Sequence, residues 1–581
     1  MKRLSSYLSK YTKEAILAPL FKLLEALMDL LVPLVVAYII NEGITLNNKQ
    51  AIINSFILLI VLAFAGMGFS FTAQYFAAKA SVGFASDLRQ SLFDHIMFLS
   101  YKELDQSGSD TLITRMTSDI NQLQVGVNLA LRLLLRSPFI VFGAMIMAFT
   151  IDARLALIFV VTIPILSLVV YAIMLKSIPL FEKVQQKLDS LLGMTRENLN
   201  GVRVIRAFCK EDDEIKEFEK RSIDLTFMNR TVGRLSALMN PLTYAIVNIA
   251  SIVLIYSGAL SVNVGTIRQG DVVALYNYMA QIIVELIKLA SLTITINKSW
   301  ACGKRVAALF DVSPSLTYPD EVTDIKDNTY QVEFKDVSFA YEKGIDAISE
   351  VSFKTKKGQT IGVIGSTGSG KSTIVNLIPR FYDVSEGEVR VDGLNVKDYS
   401  RKALLDKIAI VPQKAVLFEG TIRENMRWGK EDASDEEIYE ALKTAQALEV
   451  VEGKKEGLDH IVEQGGRNFS GGQRQRLTIA RALIKKPEIL ILDDSSSALD
   501  FATDSRLRKA ISELDKQLSV FIVSQRTSSI MNADLILVMD DGKLVAQGTH
   551  KQLLKESRVY QEIYYSQFPE EAGRQEVKVY A

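Results

Sequence analysis

The sequence predicts a multidomain chain: an all-α, six-helix transmembrane domain with long cytosolic helical extensions, then an α/β domain. Three observations carry this. Six long apolar stretches fall before about residue 300 and none after it. Lysine and arginine gather on one side of those stretches. After Trp300 the texture changes to short, strand-like runs, one of which leads into a glycine-rich loop and a helix. At 581 residues the chain has room for two or more domains of roughly 100–200 residues each.

The apolar stretches run over 15–40, 51–77, 129–150, 153–176, 237–260 and 271–297. Each reaches the roughly 20 residues a helix needs to cross hydrocarbon. Runs such as Ala156 to Leu175 are too long and unbroken for the core helices of a soluble protein. The first run is also too long for a signal peptide and lacks a small-x-small cleavage site. The connections on one side are short and carry Lys49, Arg154 and Arg268. The other side carries Lys2, Arg3, Lys10, Lys13, Lys79, Arg89, Lys102 and Arg115, and the basic 177–236 loop. The positive-inside rule therefore puts that side, with both termini, in the cytosol. Near the start, Leu4, Tyr7, Leu8 and Tyr11 recur at helical spacing, which suits a short amphipathic helix on the inner membrane face.

The two long inner loops, 78–128 and 177–236, read as helix, with apolar residues recurring as Leu188, Leu191, Leu192 and Met194. Their turns, near Gln106–Leu112 and Gly201–Phe208, are expected to dock on nucleotide-binding domains. Within the first span, Lys22, Glu25 and Asp29 share one helical stripe. Lys22 and Glu25 read as a salt-bridged pair near the cytosolic boundary. Asp29 lies deeper and is the candidate for lining a substrate pathway and favouring cations.

Composition removes other classes. Lysine plus arginine number 67 and acidic residues 67, so there is no basic excess for nucleic acid. Cys209 and Cys302 lie far apart without a CxxC, which excludes a disulfide scaffold and a cysteine zinc site. His95, His460 and His550 are equally scattered.

The second domain announces its chemistry locally. An apolar strand, Gln359–Gly365, runs into Gly365, Ser366, Thr367, Gly368, Ser369, Gly370, Lys371 and Ser372, and a helix begins at Thr373. This is a P-loop in its required setting of strand, loop and helix. The glycines let backbone N–H groups surround phosphate, and the helix N-terminus adds positive potential. Lys371 is expected at the terminal phosphates and Ser372 on Mg²⁺. A second buried-strand pattern, Ile489–Asp493, ends in an acid suited to hold Mg²⁺ beside the loop.

With Val411-Pro412-Gln413 between them, and Ser470-Gly471-Gly472-Gln473 shortly before the acidic strand, the domain resembles an ABC-transporter nucleotide-binding domain. Tyr341 matches that family's adenine-stacking aromatic and Ser497–Asp500 its D-loop. Six preceding spans extend the resemblance to the ABC exporter half-transporter over essentially the whole chain. It implies a transmembrane domain at 1–310, a linker at 311–330, the nucleotide-binding domain at 331–570 and a tail at 571–581. It also implies ATP and Mg²⁺ as cofactors, with Gln413 among the nucleotide and metal contacts. Two such domains face head to tail in the family, so Ser470–Gln473 would serve the ATP on a partner chain.

Two positions depart from the family. Its catalytic glutamate corresponds to Asp494, whose carboxylate stops roughly an ångström short, a displacement able to cost about 10²-fold in rate. Its switch histidine corresponds to Gln525, which carries no positive charge. The chain thus resembles the degenerate-site subunit of a heterodimeric, multidrug-type bacterial exporter in the cell membrane. The expected partner is a second half-transporter with the consensus glutamate and histidine, and the expected cargo small amphipathic compounds. A slow symmetric homodimer and an ATP-gated regulator or channel are the alternatives. A soluble ABC ATPase acting on DNA or ribosomes is opposed by the spans and the neutral charge.

Overall fold

The computed structural model describes residues 2–320, 329–341, 344–514 and 516–570. Part of the expected linker, 321–328, and the tail 571–581 lie outside these. The chain forms two compact units, one from residues up to Met97 plus Ser107–Ser313, the other from Phe98–Gln106 plus residues from Pro314 onward.

The first unit is helical. After α1 (Lys2–Ser9) come α2 (Thr12–Tyr38), which ends in a π-helical turn at Ile39–Ile44, and α3 (Lys49–Met97). Then follow α4 (Tyr101–Ser107), α5 (Ser109–Thr114), α6 (Ile120–Leu133), α7 (Arg136–Ile151) and α8 (Ala153–Asn200). The short α9 (Val202–Ala207) precedes α10 (Glu211–Ala237), α11 (Met239–Asn263) and α12 (Gln269–Phe310). Among the described residues, six helical stretches are long and apolar enough to cross a membrane. The apolar spans continue into polar helix, as the heptad-like pattern predicts: α3 has 49 residues and α8 has 48. One end of the bundle carries the short connections. At the α7–α8 corner, Asp152 accepts from the amides of Arg154 and Leu155, both at 2.8 Å, and caps α8.

Small residues let these helices approach closely. Ala26, Ala144, Ala148, Ala156 and Ala274 are buried in one cluster with Leu30, Phe159, Tyr278 and Ile282. Gly270 shows why glycine is needed: a Cβ there would stand 2.3 Å from the Ala37 carbonyl oxygen.

The second unit is α/β. Its central sheet has the order β12 (Lys543–Gly548), β11 (Leu535–Asp540), β3 (Thr360–Gly365), β10 (Ser519–Val523), β9 (Ile489–Asp493), β6 (Ile408–Val411). The strands pair in parallel from β11 to β6, and β12 is antiparallel. Alternate residues feed opposite cores: Ile489, Ile491 and Phe521 on one face, Leu490, Leu492 and Ile522 on the other. That two-sided burial explains the continuous apolar runs in the sequence. An antiparallel sheet of β2 (Ile348–Thr355), β1 (Val332–Phe339), β4 (Glu386–Val391) and β5 (Leu394–Asn395) closes the first core. A small ribbon pairs β7 (Gly420–Thr421) with β8 (Ile461–Val462).

Candidate nucleotide-binding site

Parallel pairing brings several strand ends to one edge. Val523 pairs with Asp493 and with Val363, and Val411 pairs with Leu492. The segments that follow β3, β6, β9 and β10 therefore emerge together. These are the P-loop, Gln413, Asp494 and Gln525. This is where ligands sit in open parallel sheets.

The loop after β3 turns into the helix Lys371–Leu377 through Gly370, at φ 92°. A Cβ on Gly370 would meet Ile348 Cγ2 at 2.6 Å and the Ala347 oxygen at 2.7 Å, so the turn tolerates no side chain. Lys371 is buried, and its Nζ donates to the Gly365 and Ser366 carbonyls at 3.0 and 2.5 Å. Burial lowers its pKa, against the pull of Asp494 and Asp493. A buried ammonium held by neutral carbonyls is suited to receive an anion.

Ser372 Oγ donates to Asp493 Oδ1 at 2.9 Å. Burial pushes the Asp493 carboxyl up, with Asp494 adding to the shift and Ser372 and Lys371 opposing it. Gln413 Nε2 donates to Asp494 Oδ2 at 3.3 Å. Asp494 itself has left-handed backbone, φ 46°, a conformation that aspartate tolerates better than most residues. Gln525 has an exposed side chain, and its carbonyl accepts from Gln567 Nε2 at 2.8 Å.

Tyr341 hydrogen-bonds Thr373 at 3.2 Å and packs edge-on against Phe339 and Tyr382. Beside it lies a cavity of about 260 Å³ whose lining includes Phe339, Tyr382 and Asp105. The donor set fits a nucleotide and its metal. In a loaded site the loop amides and Lys371 would face phosphate, Ser372, Asp493 and Gln413 would supply oxygens for Mg²⁺, and Tyr341 would offer an aromatic face. Mg²⁺ held there would neutralise charge on the terminal phosphates.

Ser470 and the residues after it stand apart. Ser470 accepts from the Gln473 amide at 3.2 Å and Gln473 Oε1 accepts from the Ser470 amide at 2.9 Å, a capping box on the helix Gly471–Ile484. Ser470 and Gly471 are exposed, and among the described residues no hydrogen bond ties this cap to the P-loop. A Cβ on Gly472 would lie 3.0 Å from the Ala498 oxygen, so the cap abuts the Ser497–Asp500 turn.

Asp29 belongs to the helical unit, where Arg136 Nη2 donates to it at 2.8 Å. Lys22 pairs with Glu25 and donates to Ser70 Oγ at 3.2 Å. Sequence reasoning missed Arg136 and Glu285, which complete that cluster. Their signal was charge inside largely apolar spans, where Arg136 follows Arg132 by four residues and Glu285 precedes Lys288 by three. It also missed Tyr101 and Asp105, which pack in the second unit. Tyr101 stacks on Phe381 at 4.3 Å, and Tyr382 Oη donates to Asp105 at 2.5 Å.

Comparison with known proteins agrees with both halves. The ABC transporter transmembrane region model matches residues 15–286, and the ABC transporter model matches 348–497. The chain is 36% identical to the uncharacterized ABC transporter ATP-binding protein YfiB of Bacillus subtilis (strain 168), over 99% of this chain and 100% of that one. It is 33% identical to an ATP-dependent lipid A-core flippase of Desulfotalea psychrophila, over 83% of this chain and 84% of that one. A solved bacterial Atm1-family ABC exporter with ATP bound shares the fold, with a TM-score of 0.79 at 23% identity, covering 96% of this chain and 98% of that one. A six-helix apolar unit joined to a P-loop α/β unit, matched along nearly its whole length, makes this chain a member of the ABC transporter family, a multi-pass exporter-type half-transporter.

Proposed function

We propose that the chain is one half of a heterodimeric exporter of amphipathic compounds, with a hydrolytically slow ATP site on its own P-loop. The observation that carries this is the edge of the central sheet. Lys371, Ser372, Asp493 and Gln413 retain the means to bind Mg-ATP, whereas Asp494 and Gln525 stand where the family has glutamate and histidine. Binding without efficient turnover suits a nucleotide that clamps two domains together. The exposed Ser470–Gln473 cap supports the other half of the reading. The capping box uses the Ser470 and Gln473 amides, and those of Gly471 and Gly472, at the helix N-terminus, suit the γ-phosphate of an ATP brought by a partner. The basic side of the spans supports a cytosolic position for both termini of a transporter held in the cell membrane. Amphipathic cargo is consistent with a relative named as a lipid A-core flippase.

The carboxylate kept at Asp494 favours a second reading, a slow symmetric homodimer. Purifying the tagged chain from its native membranes separates the two. The heterodimer predicts stoichiometric recovery of a different half-transporter carrying the consensus glutamate and histidine. Recovery of this chain alone, as a dimer that hydrolyses ATP, contradicts it.

A further inference from the structure

The polar groups inside the helical unit meet at one level. At about 1.5 Å per residue, Asp29, Arg136 and Glu285 each lie about 22–24 Å from the short-connection end of their helices. That depth falls within the roughly 30 Å of a bilayer's hydrocarbon. Arg136 is the hub: its Nη1 donates to Glu285 at 2.7 Å and its Nη2 to Asp29 at 2.8 Å, with Glu25 at 3.9 Å. Glu285, 5% exposed, also accepts from Ser137 Oγ at 2.7 Å and Lys288 Nζ at 3.0 Å. Glu25 has Lys22.

Asp29 differs from the other two acids. Its side chain is 44% exposed, and Arg136 is its one ion-pair partner among the described residues. It lines a cavity of about 450 Å³ with Arg136, Gln281, Val32, Ile140 and Val284. Gln281 Nε2 donates to the Asp29 backbone carbonyl at 3.2 Å. Because a carbonyl can only accept, that bond fixes which way the amide points. Gln281 Oε1 is then buried with no hydrogen-bond partner among the described residues. Arg136 Nε also lacks an acceptor. An anion reaching for it would meet Asp29, Glu25 and Glu285 around the same guanidinium, and like charge would repel it.

We propose that this cavity binds the head group of an amphipathic protonated amine. The ammonium pairs with Asp29 and donates a second hydrogen bond to Gln281 Oε1, and the tail lies along Val32, Ile140 and Val284. The inference rests on the exporter reading and names its substrate class. It also separates N–H-bearing amines from quaternary ammonium ions, which match the charge but have no proton for Gln281.

The test measures ATP-dependent uptake of dodecylamine, dodecyltrimethylammonium and dodecanol into inside-out vesicles holding the assembled transporter. Wild type should take up the amine with an apparent affinity about tenfold better than the quaternary ion. Asp29→Asn, which leaves Arg136 held by Glu285, should weaken both cations about tenfold relative to the alcohol, and Asp29→Glu should recover part of that. Gln281→Leu should remove the advantage of amine over quaternary ion. Equal affinities for the two cations in wild type, or an equal shift of all three compounds by Asp29→Asn, overturns the site while leaving an exporter. Absence of ATP-dependent uptake of all three overturns the reading of amphipathic cargo and the site with it.

Discussion

At the end of β9, Asp493 holds a buried carboxylate that an incoming Mg²⁺ would stabilise and an empty site does not. Its folded pKa is raised, chiefly by burial. Relative to an ordinary aspartate, such a group favours the fold at low pH, and that contribution is lost as pH rises through the folded value. Asp493→Asn should therefore raise the melting temperature of the nucleotide-free protein at neutral pH, and the gap should narrow on acidification. The same variant should abolish the extra stabilisation that Mg²⁺ adds to ATP. Thermal unfolding of the reconstituted protein, with and without Mg-ATP across pH, checks both halves of the statement. At Asp494 the left-handed backbone decides which replacement is informative. Asparagine keeps the conformation at little cost, whereas alanine adds a strain of about 1 kcal/mol to the loss of the carboxylate.

Helix α9 is the element with most to explain. Val204 is 60% exposed and Phe208 73%, at the tip of the α8–α10 hairpin. Apolar side chains gathered at such a tip mark a docking surface. The account predicts that this tip docks on the partner's nucleotide-binding domain. Cys209 is exposed and next in sequence, so a native thiol already sits where a probe is wanted. A thiol-anchored photo-cross-linker at Cys209 should capture the partner chain, and capture confined to this chain would contradict the crossed arrangement. Other elements were legible for a simple reason: their signals are local. Span length, the heptad-like continuation of α8 and the strand–loop–helix of the P-loop are all read within one stretch of chain. Ser372 and Asp493, 121 positions apart, could be joined because each carries its own pattern. Arg136 could not be joined to Asp29 and Glu285, 107 and 149 positions away, because a charge within an apolar run carries no pattern that names its partner. For the same reason Tyr101 and Asp105 gave no sign that they belong with Phe381 and Tyr382.

For the whole molecule, the account assigns two duties to one nucleotide-binding domain. On that account its P-loop would hold an ATP that turns over slowly, and its Ser470–Gln473 cap would complete the fast site of the partner. Both duties can be probed on this chain alone. Asp494→Asn touches the slow site and spares the fold of its turn. Ser470→Asp keeps an N-cap side chain on the helix Gly471–Ile484 and brings a negative charge against the partner's γ-phosphate. Steady-state ATPase of the assembled transporter carrying each variant is the measurement that tests the asymmetry most directly. The account predicts that Asp494→Asn retains most of the activity and that Ser470→Asp lowers it by about 10²-fold or more, the scale of losing a catalytic group. Equal, large losses from the two variants would contradict it and leave a slow, symmetric pump.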